Sequence, residues 1–578
     1  MRLLPSRADY AGLSRSWRGD VVAGVTVGVV ALPLALAFGI TTGLGAAAGL
    51  MTAIVAGLVA GVFGGSDVQV SGPTGAMTVV LVPIVARYGA NAVFVVGLMA
   101  GLLILAASFA RLGRYLAYVP WPVVEGFTVG IAVIIFLQQV PNALGVPKPE
   151  GDNTAAVAVQ ALVDGIGSVD LAALGLVVLV AVVMVGVPRL HRALPASLIA
   201  VAAATLVAGI GGLDVARIGA LPDSLPLPSL PTISPGRLGD LFSAALAVAL
   251  LGGLESLLSA KVADGMADTG RHDPDRELFG QGLANLVSPL FGGMPATGAI
   301  ARTAVNVRAG GRTRVAAVVH SLVLVLVVYL AGPVVAEIPL AALAGVLMVT
   351  AVRMVEVHNV RAVLRSTRSD AVVLVLTAAA TIVFDLIVAV EIGIAVAALL
   401  ALRSVARSAT AVDETVRHDL EALAGPADSV GGVVGRADSV GGVVGQADSV
   451  GAGEEARLLS EHIVVYRLDG ALFFGAAQRF LTELTAVADV EVVILRLPQL
   501  QVLDATGAHA LGEIVAELEA RGITVLIKGP RPEHLEVLAA VGALDRLAHE
   551  RHVFDDLGRA VAHARSHVGR RPVHAEPG

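Results

Sequence analysis

Between Val21 and about Leu402 the chain alternates apolar runs, many of 17 or more residues, with short segments that gather Gly, Pro and charged residues. A helix needs about 20 residues to cross ~30 Å of hydrocarbon. The pattern therefore predicts a polytopic α-helical membrane protein. Fourteen spans are expected, at 20–40, 46–64, 74–86, 91–110, 122–140, 170–188, 195–212, 239–261, 277–292, 299–309, 313–333, 338–353, 370–384 and 386–405. The third and the tenth are too short to cross. Each is third in its set of seven, which predicts two seven-span repeats. An odd number of spans per repeat makes the two inverted.

Polar residues sharpen this picture. With the N-terminus inside, twenty Arg and Lys fall on the inner segments, among them Arg15, Arg111, Arg189, Arg276 and Arg361. Four fall outside: Arg87, Lys148, Arg217 and Arg237. That bias predicts cytoplasmic termini. Nothing near the N-terminus reads as a cleavable signal, and the expected location is the plasma membrane.

The two short segments begin at matching breaks. One is Val70-Ser-Gly-Pro-Thr-Gly-Ala-Met-Thr78, the other Gly293-Met-Pro-Ala-Thr-Gly-Ala-Ile-Ala-Arg302. Broken backbone at membrane depth is tolerated only inside protein or along a cavity. Paired interrupted segments in two halves mark a transporter's central site. A helix starting near Ala299 would aim free N–H groups and the positive end of its dipole into the bilayer centre, and Arg302 adds a full charge one turn in. This is an anion site, with Ser71, Thr74, Thr297 and Ala301 as sources of hydroxyl and backbone donors. Glu255 lies mid-span among Leu254, Leu257 and Leu258, where a carboxylate is functional by default. Ser259, four residues on, shares its helix face. Glu255 could also be a static partner of Arg302.

Beyond the last span the composition changes. Ala427–Gly451 carries a ten-residue Ala-Asp-Ser-Val-Gly-Gly-Val-Val-Gly repeat that reads as a linker over 406–459. From 460 to 569 the pattern is that of a soluble α/β domain: strands at Ile463–Arg467, Ala471–Phe474, Val490–Arg496 and Ile523–Lys528, and helices at Ala476–Val487, Asp504–Arg521, Pro532–Val541 and Asp555–Ala564. Residues 570–578 are expected to be disordered.

Composition excludes more than it adds. The chain has 578 residues, 56% hydrophobic and 15% charged, with mean hydropathy +0.81; soluble proteins carry about 25% charged residues. A net charge of -7 gives no reason to expect nucleic acid. Without cysteine there is no thiol chemistry, and no nucleophile–base pair or phosphate loop suggests an enzyme. His272 and His320 lack partners at metal-ligand spacing, so no metal or cofactor is expected beyond a coupling Na⁺ or H⁺. Arg271–Arg276 reads as a solvated loop. Asp385 and Glu391 read as surface or capping residues.

Several stretches resemble one family. Leu32-Pro33 with Ala35–Phe38, Val68-Gln-Val-Ser-Gly-Pro-Thr74, Val124-Glu-Gly-Phe-Thr-Val-Gly130, Gly253-Leu-Glu-Ser-Leu-Leu-Ser259, Met294-Pro-Ala-Thr-Gly-Ala-Ile-Ala-Arg-Thr303 and Leu503-Asp-Ala-Thr-Gly507 are similar to motifs of the SulP anion permeases, including their C-terminal STAS domain. The resemblance implies fourteen spans in two inverted repeats, secondary anion transport by alternating access, and a homodimer in the lipid bilayer. Leu32–Phe38 and Gln69–Ala76 look most like bacterial bicarbonate transporters of the family, and Leu34 and Ala35 stand where many sulfate-type members carry Gln-Gly, so the resemblance favours bicarbonate, with sulfate or dicarboxylate as alternatives. It places cation coupling at Glu255 and Ser259, an apolar wall or core packing at Phe38, and at Thr506 either a regulatory phosphorylation site or a capping element. Two rival readings are a nucleobase–proton symporter of the same fold and a membrane-anchored signalling protein whose output is STAS.

Overall fold

The computed structural model describes residues 3–113 except 11, 120–383 except 150, 152, 166, 192–193, 222–223, 233–235, 237 and 268, then 392–393, 395–396, 399, 458, 462–468, 470–472 and 490–568. The chain divides into two compact units. The first comprises Met1–Ala117, Thr128–Val355 and Ala379–Ala389. The second comprises Tyr118–Phe127, Glu356–Ala378 and Val390–Gly578.

The described part of the apolar region is built mainly of helices. Its helices are α1 (Leu13–Thr41), α2 (Ala46–Phe63), α3 (Gly75–Tyr88), α4 (Ala90–Phe109), α5 (Trp121–Gln138), α6 (Val140–Leu144), α7 (Thr154–Gly165), α8 (Leu171–Leu190), α9 (Ala196–Ile210), α10 (Leu238–Asp264), α11 (Pro274–Val287), α12 (Ile300–Arg308), α13 (Val315–Ala336), α14 (Leu340–Met354), α15 (Val357–Ser366) and α16 (Arg368–Val383). The first thirteen expected spans each fall on one of these. Eight helical segments among the described residues are long and apolar enough to cross a membrane. The fourteenth span, Asp385 and Glu391, the tandem repeat, the helix expected at Ala476–Val487 and the tail lie outside the described residues, as a whole or for most of their length.

Beyond the short α6, which extends the fifth span, two helices were not expected. α7 fills what reads as a loop, and α15 is an amphipathic helix with Arg361 and Arg365. Periodicity without a long apolar run hides both. The Arg271–Arg276 segment is not simply solvated. Asp273 caps α11 by accepting from the Asp275 and Arg276 N–H groups. Arg276 is buried and donates through both terminal nitrogens to the two carboxylate oxygens of Asp9, at 3.0 and 2.8 Å. A fork-to-fork pair of this kind is the strong form of ion pair. It holds the Asp9 carboxyl well below the usual carboxylate range.

The decisive feature of the first unit is a very short antiparallel pair. Strand β1 (Ser71–Gly72) runs beside β2 (Thr297–Gly298), with Ser71 opposite Gly298 and Gly72 opposite Thr297. Each strand ends just before a short helix, α3 or α12, so the two breaks meet. Backbone polar groups that leave a helix in hydrocarbon need partners, and here each break supplies them to the other.

In the second unit, β3 (Ile463–Arg467), β5 (Val492–Arg496), β7 (Thr524–Lys528) and β8 (Val553–Phe554) form a parallel sheet in that order, with β4 (Gly470–Leu472) beside β6 (Leu500–Leu503). Alternate residues of β5 face opposite sides. Val493 and Leu495 join Leu511, Val515 and Leu538 of α17 (Ala505–Ala520) and α18 (Pro532–Ala540). Val492 and Ile494 join Ala560, Val561 and Ala564 of α19 (Leu557–His567). A parallel sheet covered on both faces explains why β5 reads as a continuous apolar run.

Candidate functional site

Helix α3 begins at Thr74, whose hydroxyl accepts from the Met77 N–H. The same hydroxyl donates to Glu255 Oε2 at 2.9 Å. Thr297, the first residue of β2, donates to that carboxylate oxygen at 2.8 Å and lies 3.1 Å from the Thr74 hydroxyl. A residue from each break and the mid-helix acid of α10 thus converge on one point. Next to Glu255, Ser256 accepts from the Gly298 N–H at 2.9 Å. The acid helix is thereby fixed to β2.

Arg302 lies one turn into α12 and is buried at 2% exposure. Its Nη2 donates to the Pro73 carbonyl at 2.9 Å. Its Nη1 is buried without a hydrogen-bond partner among the described residues. An unpaired guanidinium N–H is expensive to bury. Ala299, the cap position of α12, offers no side-chain acceptor to the first N–H groups of that helix. Gly72 makes the arrangement possible, because a Cβ there would collide with Arg302 Nη1. A Cβ at Gly298 would likewise run into the Gln69 side chain.

The expected residues sort into two sets. Thr74, Thr297, Glu255 and Arg302 come together, although the two hydroxyls face the carboxylate first. Phe38 is buried, with its ring near the backbone of Gly75 at the start of α3. Ala301 is exposed and offers its backbone alone. Two further expected residues have other partners. Ser71 accepts at its hydroxyl from Gln281 Nε2. Ser259 is buried 3.3 Å from the Thr303 hydroxyl, and the oxygens bound to Glu255 are those of Thr74 and Thr297. Sharing a face with Glu255 put Ser259 one turn away, where α12 supplies the nearer partner.

The scaffold of the breaks was missed. Glu277, Gln281 and Asn285 occupy every fourth position of α11, all buried. Glu277 accepts from the Gly65 and Ser66 N–H groups. Gln281 donates to Ser71 and to Glu277. Asn285 both donates to the Ala296 carbonyl and accepts from the Ala296 N–H, each at 2.9 Å. Thr303 and Asn306 of α12 receive the Val70 N–H and donate to the Val68 carbonyl, respectively. The signal was present: three amide or acid side chains at spacing four within an apolar span form a polar stripe.

Thr506 belongs to the second unit. Asp504, not Thr506, caps α17, by accepting from the Gly507 N–H at 2.7 Å. The Thr506 hydroxyl accepts from the Trp121 N–H at 3.1 Å, and the Trp121 ring stacks on His509 with centroids 4.1 Å apart. Asp370 accepts from the Ala505 N–H at 2.9 Å. Burial, followed by the nearby charge of Asp370, raises the Asp504 carboxyl above its ordinary range.

Residues 17–377 match the Sulfate permease family and residues 458–560 match the STAS domain. The chain belongs to the sulfate permease family. A bicarbonate transporter, BicA of Synechocystis, is 30% identical over 95% of this chain and 94% of its own length. YvdB of Bacillus subtilis, named as a candidate sulfate transporter, is 33% identical over 94% and 96%. Among solved structures, the transmembrane domain of a cyanobacterial BicA is 34% identical and covers 65% of this chain and 97% of its own, with TM-score 0.60. SLC26A9 aligns over 96% of this chain and 91% of its own with TM-score 0.64 at 16% identity, which shows a shared fold. This member of the sulfate permease family is therefore a helical membrane transporter with a C-terminal STAS domain, and not an enzyme.

Proposed function

We propose that this chain is a secondary active transporter of small anions, with bicarbonate favoured over sulfate or a dicarboxylate, coupled to a cation and working by alternating access. The observation that carries the reading is the buried Arg302 Nη1 without a partner, set beside two helix tips that meet through β1 and β2. Positive helix ends and a fixed guanidinium suit an anion. In this reading fourteen spans form two inverted repeats in the plasma membrane, both termini are cytoplasmic, and two copies assemble as a homodimer. Relatives named as bicarbonate and sulfate transporters support the substrate class.

Glu255 is the coupling group in this proposal. As a carboxylate it would hold Na⁺ with the hydroxyls of Thr74 and Thr297; protonated, it would carry H⁺ instead. Ser259 and Thr303 form the layer beneath. Thr506 would serve as a contact point of the STAS helix with the Trp121 turn.

The test is radiolabelled uptake of bicarbonate, sulfate and fumarate into proteoliposomes, with Na⁺ and pH gradients imposed separately. Arg302→Ala should reduce uptake to background while the protein still purifies as a folded species. Full uptake by that variant would take Arg302 out of the site. Glu255→Gln should leave anion binding but remove the dependence of uptake on the imposed cation gradient. Unchanged gradient dependence rejects Glu255 as the coupling group.

A further inference from the structure

Three histidines of the second unit form a cluster that the transport reading does not use. His563 and His567 are one turn apart on α19, and their Nε2 atoms are 3.2 Å apart. His552, in the turn before β8, packs its ring against both, with centroids 5.4 and 5.2 Å away. The ligand nitrogens of all three lie within 4.8 Å of one another.

The chemistry of each ring fits metal ligation. Two nitrogens bound to one tetrahedral Zn²⁺ at 2.0–2.1 Å must be about 3.3 Å apart, close to the His563–His567 separation. His552 is 2% exposed, and its Nδ1 has no hydrogen-bond partner among the described residues.

We propose that His552, His563 and His567 bind a divalent transition-metal ion of the Zn²⁺ type, with solvent in the fourth position. Three imidazoles without carboxylates favour a borderline metal over Mg²⁺ or Ca²⁺. The ion would tie the C-terminal helix to the turn that precedes the edge strand of the sheet.

The test uses the full chain in detergent, purified without a polyhistidine tag and stripped by chelator. Titration with Co²⁺ should give one ion per chain with the intense visible absorption of tetrahedral cobalt, displaced by Zn²⁺. His563→Gln and His567→Gln should each weaken binding by more than the ~10–100-fold that loss of an outer-shell partner causes, and should remove the absorption. Both side chains are partly exposed and neither belongs to the buried core, so the variants keep the core of the domain. His509→Gln, elsewhere in the same domain, should bind like the parent. No binding by the parent protein overturns the proposal. So does a cobalt spectrum that survives in His563→Gln and His567→Gln.

Discussion

Gly72 and Arg302 constrain each other. The glycine has no Cβ in the space that Nη1 occupies, and the arginine reaches that space from one turn inside α12. Overpacking a tight site costs about 1–3 kcal/mol. Gly72→Ala should therefore lower anion uptake by about tenfold or more by displacing the guanidinium, with little loss of expressed protein; uptake assays beside the Arg302→Ala control check this. Asp504 gives a prediction on pH. Its carboxyl is raised in the folded protein, so its contribution to stability is complete below the unfolded value near ~4 and is lost as pH rises through the folded value. Asp504→Asn keeps an oxygen to cap Gly507, and should flatten the fall of melting temperature between mildly acidic and alkaline pH. A parent-like slope would assign that fall to other groups. At this scale the residues that the structure brings together, Arg302, Glu255, Thr74 and Thr297, stand out in the sequence as charges and hydroxyls against apolar neighbours. The partners of Ser71 and Ser259 were not legible, because a hydroxyl's partner depends on which helix lies opposite.

At the scale of elements, the breaks were legible and their support was not. Gly-Pro-Thr before α3 and Pro-Ala-Thr-Gly before α12 announce interrupted helices in the sequence itself. That the two meet as β1 and β2 is a tertiary fact. Helix α11 bears the load through Glu277, Gln281 and Asn285, whose stripe was submerged in a segment read only as a span. Asn285→Ala would leave the Ala296 N–H and carbonyl unpaired in a buried site. Unsatisfied buried groups cost about 1–3 kcal/mol each, so this variant should unfold at a clearly lower temperature, by several degrees, than Asn285→Asp, which keeps an acceptor. The two short helices also differ. Thr74 caps α3 with its side chain, whereas Ala299 leaves the start of α12 without such a cap.

For the whole molecule, the contrast between apolar spans and basic loops predicts sidedness that can be measured. The chain has no cysteine, so single cysteines can be introduced without a background. Ala216→Cys, beside Arg217, should react with an impermeant maleimide added to intact cells. Ser366→Cys, beside Arg365, should react only after the cells are opened. Reversed labelling would invert the topology. The STAS domain was legible from strand–helix alternation, except for β6, whose burial does not alternate, and the two-residue β8.

The two-residue pairing between β1 and β2 has a mechanical meaning. If one tip slid along the membrane normal alone, it would strip partners from both chains of backbone where water is scarce. On the proposed mechanism, the pairing would staple the two tips together, and they would carry their cargo across as a single piece.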